Sequence, residues 1–281
     1  MARTIECFYP GDGFPAISVT GNQCALECKH CLRKYLEGMI PATRPEDLVQ
    51  VAEALAERGA KGFLLSGGSD HAGRVRVAEF ADAIADVKAT TDLAVNAHVG
   101  LANRADLEKL VRAGVDAFST DLYGDAETIS DVLGIAATPD DYFQVLRDLT
   151  DLGARRIAPH ICIGIHDGKL GGELLAVQRL VPLQPEALIL ISLMPTKGTA
   201  YANVRPPDRD MMVKVVAKAR ELLPETKLLL GCMRSKLDRS SEVDVVEAGA
   251  DGIVLPASAT VERLRQSGYA VRKRATCCAM L

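Results

Sequence analysis

The sequence predicts an α/β fold: one closed (β/α)8 TIM-type barrel in a chain of 281 residues, with short extensions at both ends. Three observations predict it. Short β-rich runs alternate with amphipathic helical stretches almost from end to end, the pattern of repeated βα units around a parallel sheet. Four helical stretches close on a glycine just before the next strand, at Gly59, Gly114, Gly153 and Gly249, where glycine caps a helix in the left-handed conformation. Composition agrees, since 48% apolar and 25% charged residues are ordinary values for a globular chain with one large core.

Taken in order, the strand candidates are 16–20, 62–66, 93–99, 115–121, 157–165, 187–193, 227–232 and 252–255, and the clearest helices are 45–57, 75–88, 104–112, 139–152 and 208–223. The domain reading is an N-terminal extension over 1–15, the barrel over 16–268 and a cysteine-bearing tail over 269–281. In a barrel of this kind the chemistry sits at the C-terminal ends of the strands, so the search for function narrows to the loops that follow them.

Charge and aromatic content remove several classes of partner. The net charge is −4, and six Tyr, six Phe and no Trp leave no basic, stacking face for nucleic acid. The longest apolar run, 187–194, falls far short of the roughly 20 residues of a membrane span. Glu6 and Pro10 interrupt any signal-peptide core near Met1. The expectation is a cytoplasmic protein that binds neither nucleic acid nor membrane. Eight cysteines then point to metal or redox chemistry rather than to a disulfide framework.

Directly after the first barrel strand comes Cys24-Ala-Leu-Glu-Cys28-Lys-His-Cys31, on a loop at the mouth. Three thiolates hold three irons of a [4Fe-4S] cluster and leave the fourth iron open for a substrate or cofactor. The alternatives are a structural zinc site, which normally wants four protein ligands, or three unrelated thiols.

This spacing on this loop resembles the radical S-adenosylmethionine (SAM) superfamily. The resemblance implies a [4Fe-4S] cluster on Cys24, Cys28 and Cys31 whose open iron is chelated by SAM. An electron from a donor such as ferredoxin or flavodoxin then gives methionine and a 5′-deoxyadenosyl radical, which takes a hydrogen from substrate. His30 stands where the family usually has an aromatic residue and would pack against adenine. Gly67-Gly68-Ser69-Asp70, after the second strand, occupies the place of an element that holds the SAM ammonium, with Ser69 for the family carboxylate and Asp70 as its substitute. Asp121 is the ribose candidate, and Ile163-Gly164 the adenine-packing stretch.

The nearest branch is that of the biotin, thiamin and lipoate enzymes, through 192–199 (Ser-Leu-Met-Pro-Thr-Lys-Gly-Thr) above all. Cysteines of a biotin-type second cluster are replaced by Asn96, Ala97 and His98 on one strand and by Ser119 and Thr120 on another, which leaves Cys162 as a small buried residue. His160 and His166 read as satisfied strand and loop histidines. The adjacent tail thiols Cys277 and Cys278 suggest an auxiliary Fe-S cluster, with Cys232 or Cys7 as further ligands. Arg239-Ser240-Ser241 reads as a helix N-cap.

The two ends of the chain, Phe8 to Gly11 with Phe14 to Gly21, and the terminal cysteine pair, resemble the radical SAM subunits of two-component lipoyl synthases. The implied partners are a second, paralogous radical SAM subunit and an octanoylated lipoyl-carrier protein. Two other readings stay open: a different hydrogen-abstraction reaction on a small molecule, and a noncatalytic Fe-S scaffold.

Overall fold

The computed structural model describes residues 3–235 and 241–281. Along the chain run β1 (Thr4–Phe8), β2 (Ala16–Ser18), β3 (Ile40–Pro41), α1 (Pro45–Glu57), β4 (Gly62–Ser66), α2 (Ala81–Thr90), β5 (Ala94–His98), α3 (Arg104–Arg112), β6 (Ala117–Asp121) and the short α4 (Ala126–Thr128). They are followed by α5 (Pro139–Asp151), β7 (Ile157–Ile163), α6 (Glu173–Leu180), β8 (Ala187–Ser192), α7 (Arg209–Leu222), β9 (Lys227–Leu230), α8 (Glu242–Glu247), β10 (Gly252–Val254), α9 (Ser258–Gln266) and β11 (Ala270–Arg274).

All strand pairs are parallel and form one curled, barrel-type sheet in the order β11-β1-β10-β9-β8-β7-β6-β5-β4-β2-β3. Each predicted strand and helix is present, with ends shifted by a few residues. The α/β barrel class stands; three details differ. The described sheet has eleven strands rather than eight, and its end strands β3 and β11 do not pair with each other, so the ring is not closed. The extensions expected outside the barrel belong to it, because β1 lies between β10 and β11. β1 is a five-residue run with Ile5 and Cys7 buried on one face and Phe8 on the other. β11 carries Arg272, Lys273 and Arg274 in succession, which suits a solvent-facing sheet edge but hides it from a search for apolar alternation.

The sheet divides the apolar side chains into two regions. Ile17, Phe63, Leu65, Val95 and Phe118 pack outward against α1, α2, α3 and α5, and Ile161, Ile163, Leu188, Leu190 and Leu228 pack outward against α6 and α7. The alternate strand residues face the bore. There Phe8, Ala158, Ala187, Ile189, Leu229 and Val254 surround Cys278 and Ala279. Beyond β11, whose Arg274 carbonyl accepts from Tyr9 N at 2.7 Å, the tail turns back down the bore until the Leu281 carbonyl accepts from Arg156 Nε at 3.1 Å. The small side chains of Cys278 and Ala279 fill the bore. Among the described residues no helix is long and apolar enough to cross a membrane.

Candidate functional site

The cysteine loop between β2 and β3 is held from three sides. Lys29 N donates to the Val132 carbonyl at 2.9 Å, Tyr201 N donates to the Lys29 carbonyl at 3.1 Å, and Ser69 N donates to Cys24 Sγ at 3.3 Å. The Cys28 carbonyl accepts from the amides of Cys31 and Leu32, closing a tight turn that brings the second and third thiols together. Beneath it Gly68 N donates to Thr20 Oγ1 at 2.7 Å, and a Cβ at Gly68 would lie 2.0 Å from the Gln23 carbonyl oxygen and 2.6 Å from Cys24 Cα. The glycine pair therefore sets the height of the cysteine loop above the strand ends. Burial first, then the neighbouring Cys31 and Cys24, pushes the Cys28 thiol up to about 12, and burial raises Cys31. A metal that binds here has to displace those protons.

Below the loop, β5, β6 and β7 send His98, Asp121 and His160 into the bore. Register places His98 beside Ser119 and Asp121 beside His160. His98 Nε2 lies 3.3 Å from Asp121 Oδ2, with side chains 25% and 37% exposed, so the pair is recessed yet reachable from the mouth. Burial works to raise Asp121, but His98, then His160 and His30, hold its carboxyl down at about 2. Burial works to lower His98, and Asp121 overrides it, so His98 is raised. Burial lowers both His160 and His30 to about 4. His160 Nδ1 donates to the Ala158 carbonyl at 2.8 Å, whereas His30 Nδ1 is buried with no hydrogen-bond partner among the described residues.

The remaining predicted residues divide into those at this mouth and those turned from it. Ser69 meets Cys24 through its backbone. Asp70 is exposed and uses Oδ1 to accept from Ala72 N and Arg74 N at 2.8 and 3.0 Å, capping its own turn. The Ile163 side chain is fully buried in the outward-facing core, because it alternates with His160 and Cys162 along β7, so this position would meet a ligand through its backbone. Gly164 N donates to Glu173 Oε1 at 2.7 Å, and its Cα packs against the Pro207 ring. Cys162 is raised by burial, then by Asp121 and Glu173. His166 is satisfied, with Nδ1 3.4 Å from Thr128 Oγ1 and Nε2 3.6 Å from Asp131.

The tail thiols lie in the bore beside Asn96. Cys277 Sγ accepts from Cys278 and lies 4.0 Å from Asn96 Nδ2, while Asn96 Oδ1 accepts from Ser119 Oγ at 3.0 Å. The hydrogen bond from Cys278 lowers Cys277 and raises Cys278, and Cys232, exposed after β9, interacts electrostatically with both. Cys7 faces the helices, on the opposite side of β1 from Phe8 and the tail, and so is not a fourth member. Of the N-cap motif, Arg239 and Ser240 lie outside the described residues; Ser241 stands at the N-cap of α8 without a side-chain cap bond.

The arrangement is that of a cluster-binding barrel: three thiols on one strapped loop, over a recessed carboxylate and an unpaired buried imidazole nitrogen. The donor set fits a [4Fe-4S] cluster, and the polar patch below fits the nucleoside of a ligand on the open iron. The chain belongs to the radical SAM superfamily, whose family model matches residues 18–169. That membership implies a [4Fe-4S] cluster and SAM as cofactors of a radical SAM enzyme. The chain is 23% identical over 243 residues to a biotin synthase of Acinetobacter calcoaceticus, covering 84% of this chain and 73% of the relative. It is 25% identical over 253 residues to a biotin synthase of Allorhizobium ampelinum, covering 84% and 74%. Among solved structures, the FeFe-hydrogenase maturase HydG of Carboxydothermus hydrogenoformans superposes with a TM-score of 0.70 at 17% identity, over 95% of this chain and 67% of that one. Methylornithine synthase gives 0.66 at 16% identity, over 96% and 84%. Both likenesses are of fold.

Sequence reasoning missed the bore triad as a unit. His98 was noted only as the occupant of a vacant ligand position, and His160 as a satisfied histidine. The signal was present in strand periodicity, because 96 and 98, 119 and 121, 158 and 160 share one face.

Proposed function

We propose that this chain is a radical SAM sulfurtransferase of the lipoyl synthase type, which inserts sulfur into an octanoyl chain borne by a lysine of a carrier protein. It works with a second, paralogous radical SAM subunit and receives electrons from a ferredoxin or flavodoxin. The observation that carries this reading is the placement of the adjacent tail thiols Cys277 and Cys278 in the bore, below the loop of Cys24, Cys28 and Cys31. Kinship with biotin synthases supports the same branch of the superfamily.

When bound, the [4Fe-4S] cluster and SAM supply a radical able to take hydrogen from an unactivated aliphatic carbon, which no base or nucleophile of a protein does. The protein's own part is placement. Ser69, Val132 and Tyr201 fix the cysteine loop, and Asp121 offers a recessed acceptor beside it. The apolar wall of Ile189 and Leu229 keeps water from the bore. Cys277 and Cys278, with Cys232 as a further candidate, would be the ligands of an auxiliary Fe-S cluster, which would supply the sulfur.

The test is iron counting after anaerobic reconstitution, paired with an assay for thiolated octanoyl-lysyl peptide in the presence of the paralogous subunit. The expected result is about eight irons per chain, falling to about four in C277A/C278A, with thiolation lost and SAM cleavage retained. About four irons in both proteins, with SAM cleavage and no thiolation, would favour another hydrogen-abstraction reaction on a small molecule. No SAM cleavage by the reduced, loaded protein would indicate a scaffold.

A further inference from the structure

The bore holds a charged pair that the cysteine chemistry leaves unassigned. His98 and Asp121 come from the ends of neighbouring strands, and their contact engages Nε2 and Oδ2 at 3.3 Å. Among the described residues no hydrogen bond reaches Asp121 Oδ1. His160 is turned to its own strand by its bond to the Ala158 carbonyl, so it does not compete with His98 for the carboxylate. Above the pair, His30 on the cysteine loop keeps a buried Nδ1 without a partner. The carboxylate thus has one oxygen against His98 Nε2 and one free for a ligand that enters from the mouth, under a buried ring nitrogen that has no partner among the described residues.

The charge balance selects what the open oxygen takes. A carboxylate already in contact with a neighbouring imidazole gains less from a further cation than a free one does, whereas a neutral hydroxyl needs only the open lone pairs of the second oxygen. A free carboxylate also turns about its last torsion; a histidine nitrogen 3.3 Å from one oxygen restricts that turn and steadies the other, so less order is lost when the ligand binds.

We propose that His98 is a positioning residue that fixes Asp121 through Oδ2 and so presents Oδ1 to a ribose hydroxyl of the SAM nucleoside. This rests on the assignment of Asp121 to the ribose, and the experiment separates the two. Equilibrium dialysis on the reconstituted, unreduced full chain, with methionine present, measures affinity for 5′-deoxyadenosine and for its 2′,3′-dideoxy counterpart. The expected result is that D121N and H98A each weaken 5′-deoxyadenosine by roughly tenfold, the scale of one hydrogen bond to a charged group, and leave the dideoxy compound unchanged. H98Q, which keeps a donor, restores much of the loss. H98A/D121N is no weaker than D121N, since the two act as one unit. If D121N binds like the wild type, the ribose assignment fails and the proposal with it. If D121N weakens binding and H98A does not, Asp121 stands and the role of His98 is overturned. An equal loss for both nucleosides in H98A, with H98Q no better, also overturns it, because it marks general damage to the bore.

Discussion

A methyl group at Gly68 would have to displace backbone, since its nearest neighbours are the Gln23 carbonyl oxygen and Cys24 Cα rather than the end of a flexible side chain. G68A is therefore expected to cost about 1–3 kcal/mol by overpacking and to lift the Cys24 loop, lowering iron per chain after reconstitution. Iron analysis with a thermal melt checks both parts. At the cysteines themselves, replacing Cys24, Cys28 and Cys31 together by Ala should abolish SAM cleavage by dithionite-reduced protein; 5′-deoxyadenosine at the wild-type level would refute the ligand assignment. His160 gives a pH signature in the cluster-free protein. Its folded value of about 4 lies below the ordinary 6.5, so the unfolded chain binds the proton that the folded chain refuses. Its contribution to stability is thus present above pH 6.5 and lost as pH falls toward 4. Denaturant titrations across that window should show a shallower pH dependence for H160Q than for the wild type.

At the scale of elements, one buried ion pair ties the end of β9 to α8 and to the connection between β10 and α9. Arg234 donates to the Gly231 and Val254 carbonyls at 2.6 and 2.7 Å and to Glu242 Oε1 at 2.7 Å, while Glu242 Oε2 accepts from Thr260 Oγ1 at 2.6 Å and Ala257 N at 3.0 Å. With side chains 5% and 3% exposed, removing Arg234 takes the guanidinium away from a buried carboxylate. R234M should cost about 3 kcal/mol, a fall of roughly 6–12 °C in Tm by calorimetry. Elements were legible in the sequence where the signal was local. The glycines that end α1 and α3 have φ of +79° and +86°, as their place before a strand required. The cysteine spacing lies within one loop and was read directly. What distant segments build together was hidden: the approach of Cys277 to Asn96 spans 181 positions, and the edge strand β11 carries cations where a core strand would alternate. The face that Ile163 turns to the core was hidden for the same reason, because it depends on which side of β7 becomes the bore.

The whole molecule joins a radical-generating mouth to a bore that the chain's own tail fills from below, so a substrate has to enter from the cysteine side and stop near Cys277. That geometry suits an extended chain delivered on a flexible lysyl arm. In the proposed reaction the hydrogen removed belongs to the octanoyl group. The most direct measurement is to incubate the reconstituted chain, the proposed paralogous subunit, reductant and SAM with a peptide carrying perdeuterated octanoyl-lysine, and to determine the isotopic content of the 5′-deoxyadenosine formed. The expected result is 5′-deoxyadenosine carrying one deuterium, together with a thiolated peptide. Undeuterated 5′-deoxyadenosine, formed at the same rate with and without the peptide, would contradict the claim.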